Sequence, residues 1–251
     1  MSEDGDGADR PGYALAWSGG KDSTLSYHRA RQQGYPVSHV LTVYEGNTGR
    51  TRFHGVRREL IEEQAASLGL EPVLESTHPE DFEEAFGAAL DRLVDAGVAG
   101  VIFGNVHLED VREWYESRVT GHDLEHVEPL WGDPPRRLLR EFLSAGYRTL
   151  ICSVNLDAGR PEWLGRELDG SLAAELESEP HVDCCGEHGE YHSFAWDGPL
   201  FDQPVEFRRG GEVEIEGHRL LDLLPPAEED DDGDAGAEAM HSESEGDGDT
   251  S

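Results

Sequence analysis

The chain has 251 residues, with 54 Asp and Glu against 20 Lys and Arg and a formal net charge of −34. Setting aside the termini (1–12 and 227–251) still leaves 39 acids against 19 bases, so acid coats the whole surface, as suits a halophile's cytosol where counterions screen it. No basic footprint for nucleic acid is visible, three cysteines make no disulfide framework, and no apolar run approaches the roughly 20 residues of a membrane span.

Residues 1–12 are polar and glycine-rich and are expected to be disordered. Tyr13 to Trp17 is a short apolar run that predicts a buried strand, and it feeds into Ser18-Gly19-Gly20-Lys21-Asp22-Ser23. Residues 24–33 predict a helix closed by Gly34. The β-branched stretch 37–43 predicts a second strand, 56–68 a helix, 72–76 a third strand and 79–96 a long amphipathic helix. Residues 98–106 are apolar enough for a strand buried on both faces, 108–119 and 135–145 are helical, and 147–154 predicts a fifth strand. Strands alternating with helices argue for right-handed βαβ units, hence a five-stranded parallel α/β sheet with flanking helices, Rossmann-like, over residues 13–156. Past residue 156 the alternation stops. Residues 157–225 suggest a small α+β lobe, with a short helix at 172–177 and a hairpin of 205–208 and 212–215 around Gly210 and Gly211. Residues 226–251 are an acidic tail expected to stay disordered. The expected product is a soluble, cytoplasmic protein that binds neither nucleic acid nor membrane.

Lys21 is the only lysine in the chain, and it stands inside the glycine loop. Adjacent glycines let successive N–H groups converge, the following helix adds its N-terminal dipole, and lysine supplies a compact charge. The hydroxyls of Ser18 and Ser23 can donate to phosphate oxygens, and Asp22 can hold a cation. The order of residues differs from the commoner phosphate loop, G-x-x-x-x-G-K-[ST]. The bland alternative is a strand-to-helix turn with a surface lysine.

Ser18 to Ser23 after a first strand resembles the PP-motif of the ATP pyrophosphatases, in the adenine nucleotide α-hydrolase superfamily. The rest of the chain resembles one branch, the diphthine–ammonia ligases, in a haloarchaeal form. The residues that carry this are His54-Gly55, Phe103-Gly104-Asn105-Val106, Pro129-Leu130-Trp131-Gly132, Leu164-Gly165-Arg166, Asp183-Cys184-Cys185-Gly186-Glu187-His188-Gly189-Glu190-Tyr191-His192-Ser193-Phe194 and Gly198-Pro199-Leu200-Phe201. The resemblance implies that ATP and Mg²⁺ are bound by Ser18, Gly19, Gly20, Lys21, Asp22, Ser23 and Gly104, with Asp22 on the metal and Lys21, Asp22 and His192 catalytic. It implies amidation of diphthine on elongation factor 2 through an acyl-adenylate, with free ammonium as the nitrogen source because no glutaminase-like region is recognisable. Trp131, Glu187, Glu190 and Tyr191 are candidates to meet the substrate's trimethylammonium group. Asn105 stands where the family leads one to expect aspartate, which changes the character of a metal or substrate contact, and Gly186 to Glu190 resembles a variant also found in bacteria, which make no diphthamide; another carboxylate substrate, or a nucleotide-binding regulator without turnover, are therefore the alternatives. A homodimer is compatible with the sequence.

Among the bare side chains, His181, Cys184, Cys185, His188 and His192 lack the spacing of a structural zinc site, because adjacent cysteines rarely share one metal. His192 and Ser193 with Asp183 lack a nucleophile elbow. His192 is either a packed loop residue or the group that takes a proton from ammonium, a histidine's ordinary pKa lying near the working range. Pro129 to Gly132 is either a substrate contact or a hydrophobic corner.

Overall fold

The structure, a computed structural model, describes residues 11–52, 54–78 and 80–227. Most of the termini expected to be disordered, 1–10 and 228–251, therefore lie outside the described residues. In chain order the elements are β1 (Tyr13–Ala16), α1 (Lys21–Gln32), β2 (Val37–Glu45), β3 (Arg50–Thr51), α2 (Arg58–Ser67), β4 (Glu71–Thr77), α3 (Phe82–Asp95), β5 (Gly100–Ile102), α4 (Glu109–Gly121) and β6 (Glu125–Val127). They continue with α5 (Pro135–Ser144), β7 (Arg148–Asn155), α6 (Gly170–Ser178), β8 (Tyr191–Asp197), β9 (Arg208–Ile215) and β10 (His218–Leu224). None of the described helices is long and apolar enough to cross a membrane.

Five strands pair in parallel: β4 with β2, β2 with β1, β1 with β5, and β5 with β6. The two-residue β3 adds antiparallel to the end of β2. β1 is the switch point, since the chain winds to one side through β2 and β4 and returns to β5 on the other. Ligands of open α/β sheets bind at such a point, beyond the strands' carboxyl ends. The fifth parallel strand is β6, not 147–154. That stretch forms β7, which joins a second, wholly antiparallel sheet in the order β8-β7-β10-β9. β6 escaped prediction because three residues, Glu125-His126-Val127, show no apolar run. β7 misled because a strand buried along nearly all its length reads the same in either kind of sheet.

The expected hairpin around Gly210 and Gly211 is also corrected. Both glycines lie inside β9, and a Cβ on Gly210 would come 3.0 Å from the Asp222 carbonyl oxygen, so close approach, not turning, accounts for glycine there. The turn is Glu216-Gly217, with φ of 49° and 79°, between the paired residues Ile215 and His218. Two successive positive φ values match the twist of a tight hairpin.

One apolar cluster runs from Leu15, Val40 and Ile61 of the first sheet and its helices to Leu150, Phe194 and Trp163, so the two sheets share a core. A second cluster covers the opposite face, where Phe86, Leu90 and Leu93 of α3 meet Val101 and Val119. Asp222 on β10 accepts from Arg50 at 2.7 Å and from Arg57 Nε and Nη2 at 2.9 Å each, tying the second sheet to the β3 and α2 side of the first. The result is a cleft between the carboxyl ends of the parallel strands and the edge of the antiparallel sheet.

Candidate active site

Four residues, Trp17 to Gly20, separate β1 from α1, and the turn between them is held from outside. Gly19 has φ +81°, and a Cβ there would lie 2.7 Å from Gln64 Oε1 and 2.9 Å from Ile61 Cδ1. Its carbonyl accepts from Ala195 N at 2.8 Å and from Gln64 Nε2 at 3.0 Å. Ser193 Oγ accepts from Lys21 N at 3.1 Å. Strand β8 and helix α2 therefore shape the loop together, which no local reading of the motif shows.

Lys21 is 4% exposed. Its Nζ donates to Asp22 Oδ2 at 2.8 Å and to the Cys185 carbonyl, and it stands 4.9 Å from the Tyr191 ring centroid. Burial alone would depress the lysine's pKa; the charge of Asp22 outweighs it and holds the pKa well above the ordinary value. The group is thus a permanent cation. Gly104, after β5, lies against the same helix end: a Cβ would come 2.9 Å from the Asp22 carbonyl carbon and 3.0 Å from Ser23 N.

A cleft of about 410 Å³ opens here, lined by Ser18, Lys21, Asp22, Ser23, Gly104, Glu187, Tyr191 and His192 among others. Its other half is apolar and aromatic, with Val43, Phe82, Phe103 and Tyr115, and Arg52 also lines it. Gly19 and Gly20 sit behind that surface. Glu187 Oε2 accepts from Val106 N at 3.2 Å. Burial first, then the charge of Asp22, raises the Glu187 carboxyl from the ordinary 4.5 to about 8. Two crowded carboxylates that resist joint ionisation are a donor set suited to a hard divalent cation.

The His54 and His192 rings lie with centroids 4.3 Å apart, tilted by 38°, and His218 follows at 6.0 Å from His192. Burial pushes His54 down to about 4 and, with His54 and Lys21 adding to it, His192 well below the ordinary range. The ordinary histidine pKa invoked from sequence does not apply to His192, which is neutral at working pH and a weak base.

Two sequence candidates are not in the cleft. Glu190 is 2% exposed, and its carboxylate accepts from Asp183 N at 2.7 Å and His188 N at 3.1 Å. Trp131 is covered by the Arg112 guanidinium, 4.6 Å from its ring. Tyr191 does line the cleft, yet Lys21 already occupies its ring face. Asn105 has a local reason: its Nδ2 donates to Glu128 Oε1 at 2.7 Å, where aspartate would oppose a second buried carboxylate. Sequence reasoning missed Gln64, fully buried and bonded to the loop. Gln64 had left a trace, a polar residue on the same helical face as Leu60, Ile61 and Leu68.

Comparison with known proteins adds two family matches. The family model described as diphthamide synthase N-terminal domain matches residues 13–122, and that described as diphthamide synthase C-terminal domain matches 134–222. A human protein named diphthine–ammonia ligase is 31% identical over 111 residues, 43% of this chain and 42% of its own length. A zebrafish protein (Danio rerio) of that name is 25% identical over 148 residues, 57% of each chain, and a bovine one is 30% identical over 111 residues. The matched stretch thus spans about half the length of these relatives.

Proposed function

The chain belongs to the diphthamide synthase family, and from that premise we propose that it is an ATP-dependent amide ligase converting diphthine on elongation factor 2 to diphthamide with free ammonium. The observation that carries this reading is Lys21, a buried permanent cation at the head of α1, with carboxylates on one side of its cleft and an aromatic wall on the other.

When bound, ATP activates the substrate carboxylate by adenylation with loss of pyrophosphate, and ammonia then displaces AMP as the amide forms. The chain's own residues supply the setting. The N-terminal end of α1 and its dipole favour phosphate there, with Lys21 neutralising charge. Asp22 and Glu187 are the residues that would hold Mg²⁺. Phe82, Phe103 and Val43 suit a planar base and exclude water, which protects an activated carboxyl from hydrolysis. The neutral imidazole of His192 can accept a hydrogen bond from ammonia without converting it to unreactive ammonium. Of the four candidates for the trimethylammonium group, Glu187 and Tyr191 line the cleft; with Glu187 on Mg²⁺ and Lys21 over the Tyr191 ring, we assign none of the four to that end of the substrate. The acidic surface fits a salt-rich cytoplasm, where elongation factor 2 works.

The test is to incubate the protein with Mg²⁺, ATP, ammonium and diphthine-bearing elongation factor 2 in high KCl. AMP release should accompany exchange of OH for NH₂ in the modified histidine, and Lys21→Ala should lower both by at least ~10²-fold while remaining folded. AMP without that exchange would reject diphthine as the acceptor. ATP binding with no AMP would reject the ligase in favour of a nucleotide-binding regulator.

A further inference from the structure

Beside the nucleotide cleft, outside its lining, three side chains converge from two separate loops. His107 lies between β5 and α4; Asp183 and His188 lie in the turn that precedes β8. Their donor atoms all fall within 4.8 Å of one another. His107 Nε2 is 3.6 Å from Asp183 Oδ2, and the His107 and His188 rings meet edge to face with centroids 5.5 Å apart. A tetrahedral ion with bonds of about 2.0–2.1 Å spaces its ligand atoms about 3.3 Å apart, so the first pair is already near that span.

The arrangement is also held in place. Asp183 has a side chain only 10% exposed, and its Oδ1 accepts from Cys185 N at 2.7 Å, leaving Oδ2 directed at His107. The buried Glu190 carboxylate takes one N–H from each of the two ligand-bearing residues in the turn, Asp183 and His188. Gly186 and Gly189, with φ of 73° and 82°, permit the tight path between them. Glu190, which contacts no substrate space, thereby acquires a role: it sets the spacing of Asp183 and His188. Supports of this kind orient metal ligands in built sites.

We propose that His107, Asp183 and His188 bind one divalent transition metal of the zinc class, which pins the loop after β5 to the turn 183–190 at the rim of the cleft. Two imidazoles and a carboxylate select zinc-like ions over Mg²⁺ and Ca²⁺, which prefer oxygen. His188 is exposed, so the remaining coordination positions face solvent. The site is separate from the Asp22 and Glu187 pair assigned to Mg²⁺, and it stands whether or not the ligase reading does. Its ligands differ from those that spacing alone would select: Cys185 Sγ already donates to the Pro135 carbonyl at 3.2 Å.

The experiment uses the whole chain, stripped with chelator and dialysed into high KCl so that the acidic surface is screened. Zn²⁺ titrated by calorimetry should bind at one equivalent with a dissociation constant of about a micromolar or tighter, and Co²⁺ should give visible d–d absorption of a low-coordinate site. His107→Ala and His188→Ala should each weaken binding at least ~10-fold, and Glu190→Gln should weaken it as a positioning residue would. His181→Ala should leave binding unchanged, and excess Mg²⁺ should not displace the metal. Thermal unfolding of each metal-free variant checks that it is folded. Absence of a one-equivalent site overturns the proposal. So does a site insensitive to both histidine variants, one lost in Cys184→Ser instead, or one lost in Glu187→Gln and displaced by Mg²⁺.

Discussion

Gln64 offers the sharpest test of how the phosphate loop is held. Its side chain is fully buried; Oε1 accepts from Trp17 Nε1 at 2.8 Å, and Nε2 donates to the carbonyls of Gly19 and Ala195. Gln64→Leu keeps the volume and removes all three bonds. The buried Trp17 N–H is then left without an acceptor, about 1–3 kcal/mol, and two further bonds are lost at about 0.5–1.5 kcal/mol each. Gly19 keeps its bond from Ala195, and leucine's better burial returns part of the loss, so the net should be about 3 kcal/mol. For a protein of this size that lowers Tm by roughly 6–12 °C. ATP affinity should fall about tenfold, because the loop amides lose one of two anchors on Gly19, and 1.4 kcal/mol of misplacement suffices. Thermal unfolding and calorimetric ATP titration in high KCl measure both. Gln64→Glu retains the bond to Trp17 but sets a carboxylate against two carbonyl oxygens, so its loss should grow as pH rises. A Gln64→Leu protein within about 1 kcal/mol of the parent, with unchanged ATP affinity, would refute the claim that this amide shapes the loop.

Gly104→Ala places a methyl 2.9–3.0 Å from backbone atoms of Asp22 and Ser23; overpacking of about 1–3 kcal/mol and a shifted α1 end should raise the KM for ATP more than Tm falls. Glu187 carries the pH prediction. Its folded pKa is raised to about 8 from 4.5, so the protonated form is favoured on folding, and the stability this lends is complete below about 4.5 and lost as pH climbs through 8. Glu187→Gln without Mg²⁺ should therefore flatten the decline of Tm between those limits, and an unchanged slope would contradict the assignment. Raising KCl should increase Tm steadily, since the net charge of −34 repels itself at low ionic strength; a flat response would argue against a salt-adapted surface.

The parallel domain was largely legible because its strands 13–17, 37–43, 72–76 and 98–106 are apolar runs set between helical periods. Its fifth strand, Glu125–Val127, was not, because neighbours rather than composition make three residues a strand. In the site, Lys21, Asp22, Ser18, Ser23, Glu187 and His192 were found by motif and do line one cleft. Glu190 and Trp131 carry the same motif signal yet lie outside that lining, for a motif gives residue types and not where each side chain is placed. His192 lines the cleft, and its pKa is held well below the ordinary histidine value by burial and by His54, Lys21 and His218, which its own segment does not show.

What the sequence by itself determined is local and chemical: alternating elements, a glycine loop with the single lysine, and a surface of like charge. Those follow from periodicity, backbone freedom and charge, which are properties of short stretches. Only the tertiary structure decided that β7 leaves the parallel sheet, that Gln64 and Ser193 hold the loop, and that His107 meets Asp183 and His188. Each of these depends on contact between segments far apart in the chain, where burial and partners, rather than residue type, decide what a side chain does.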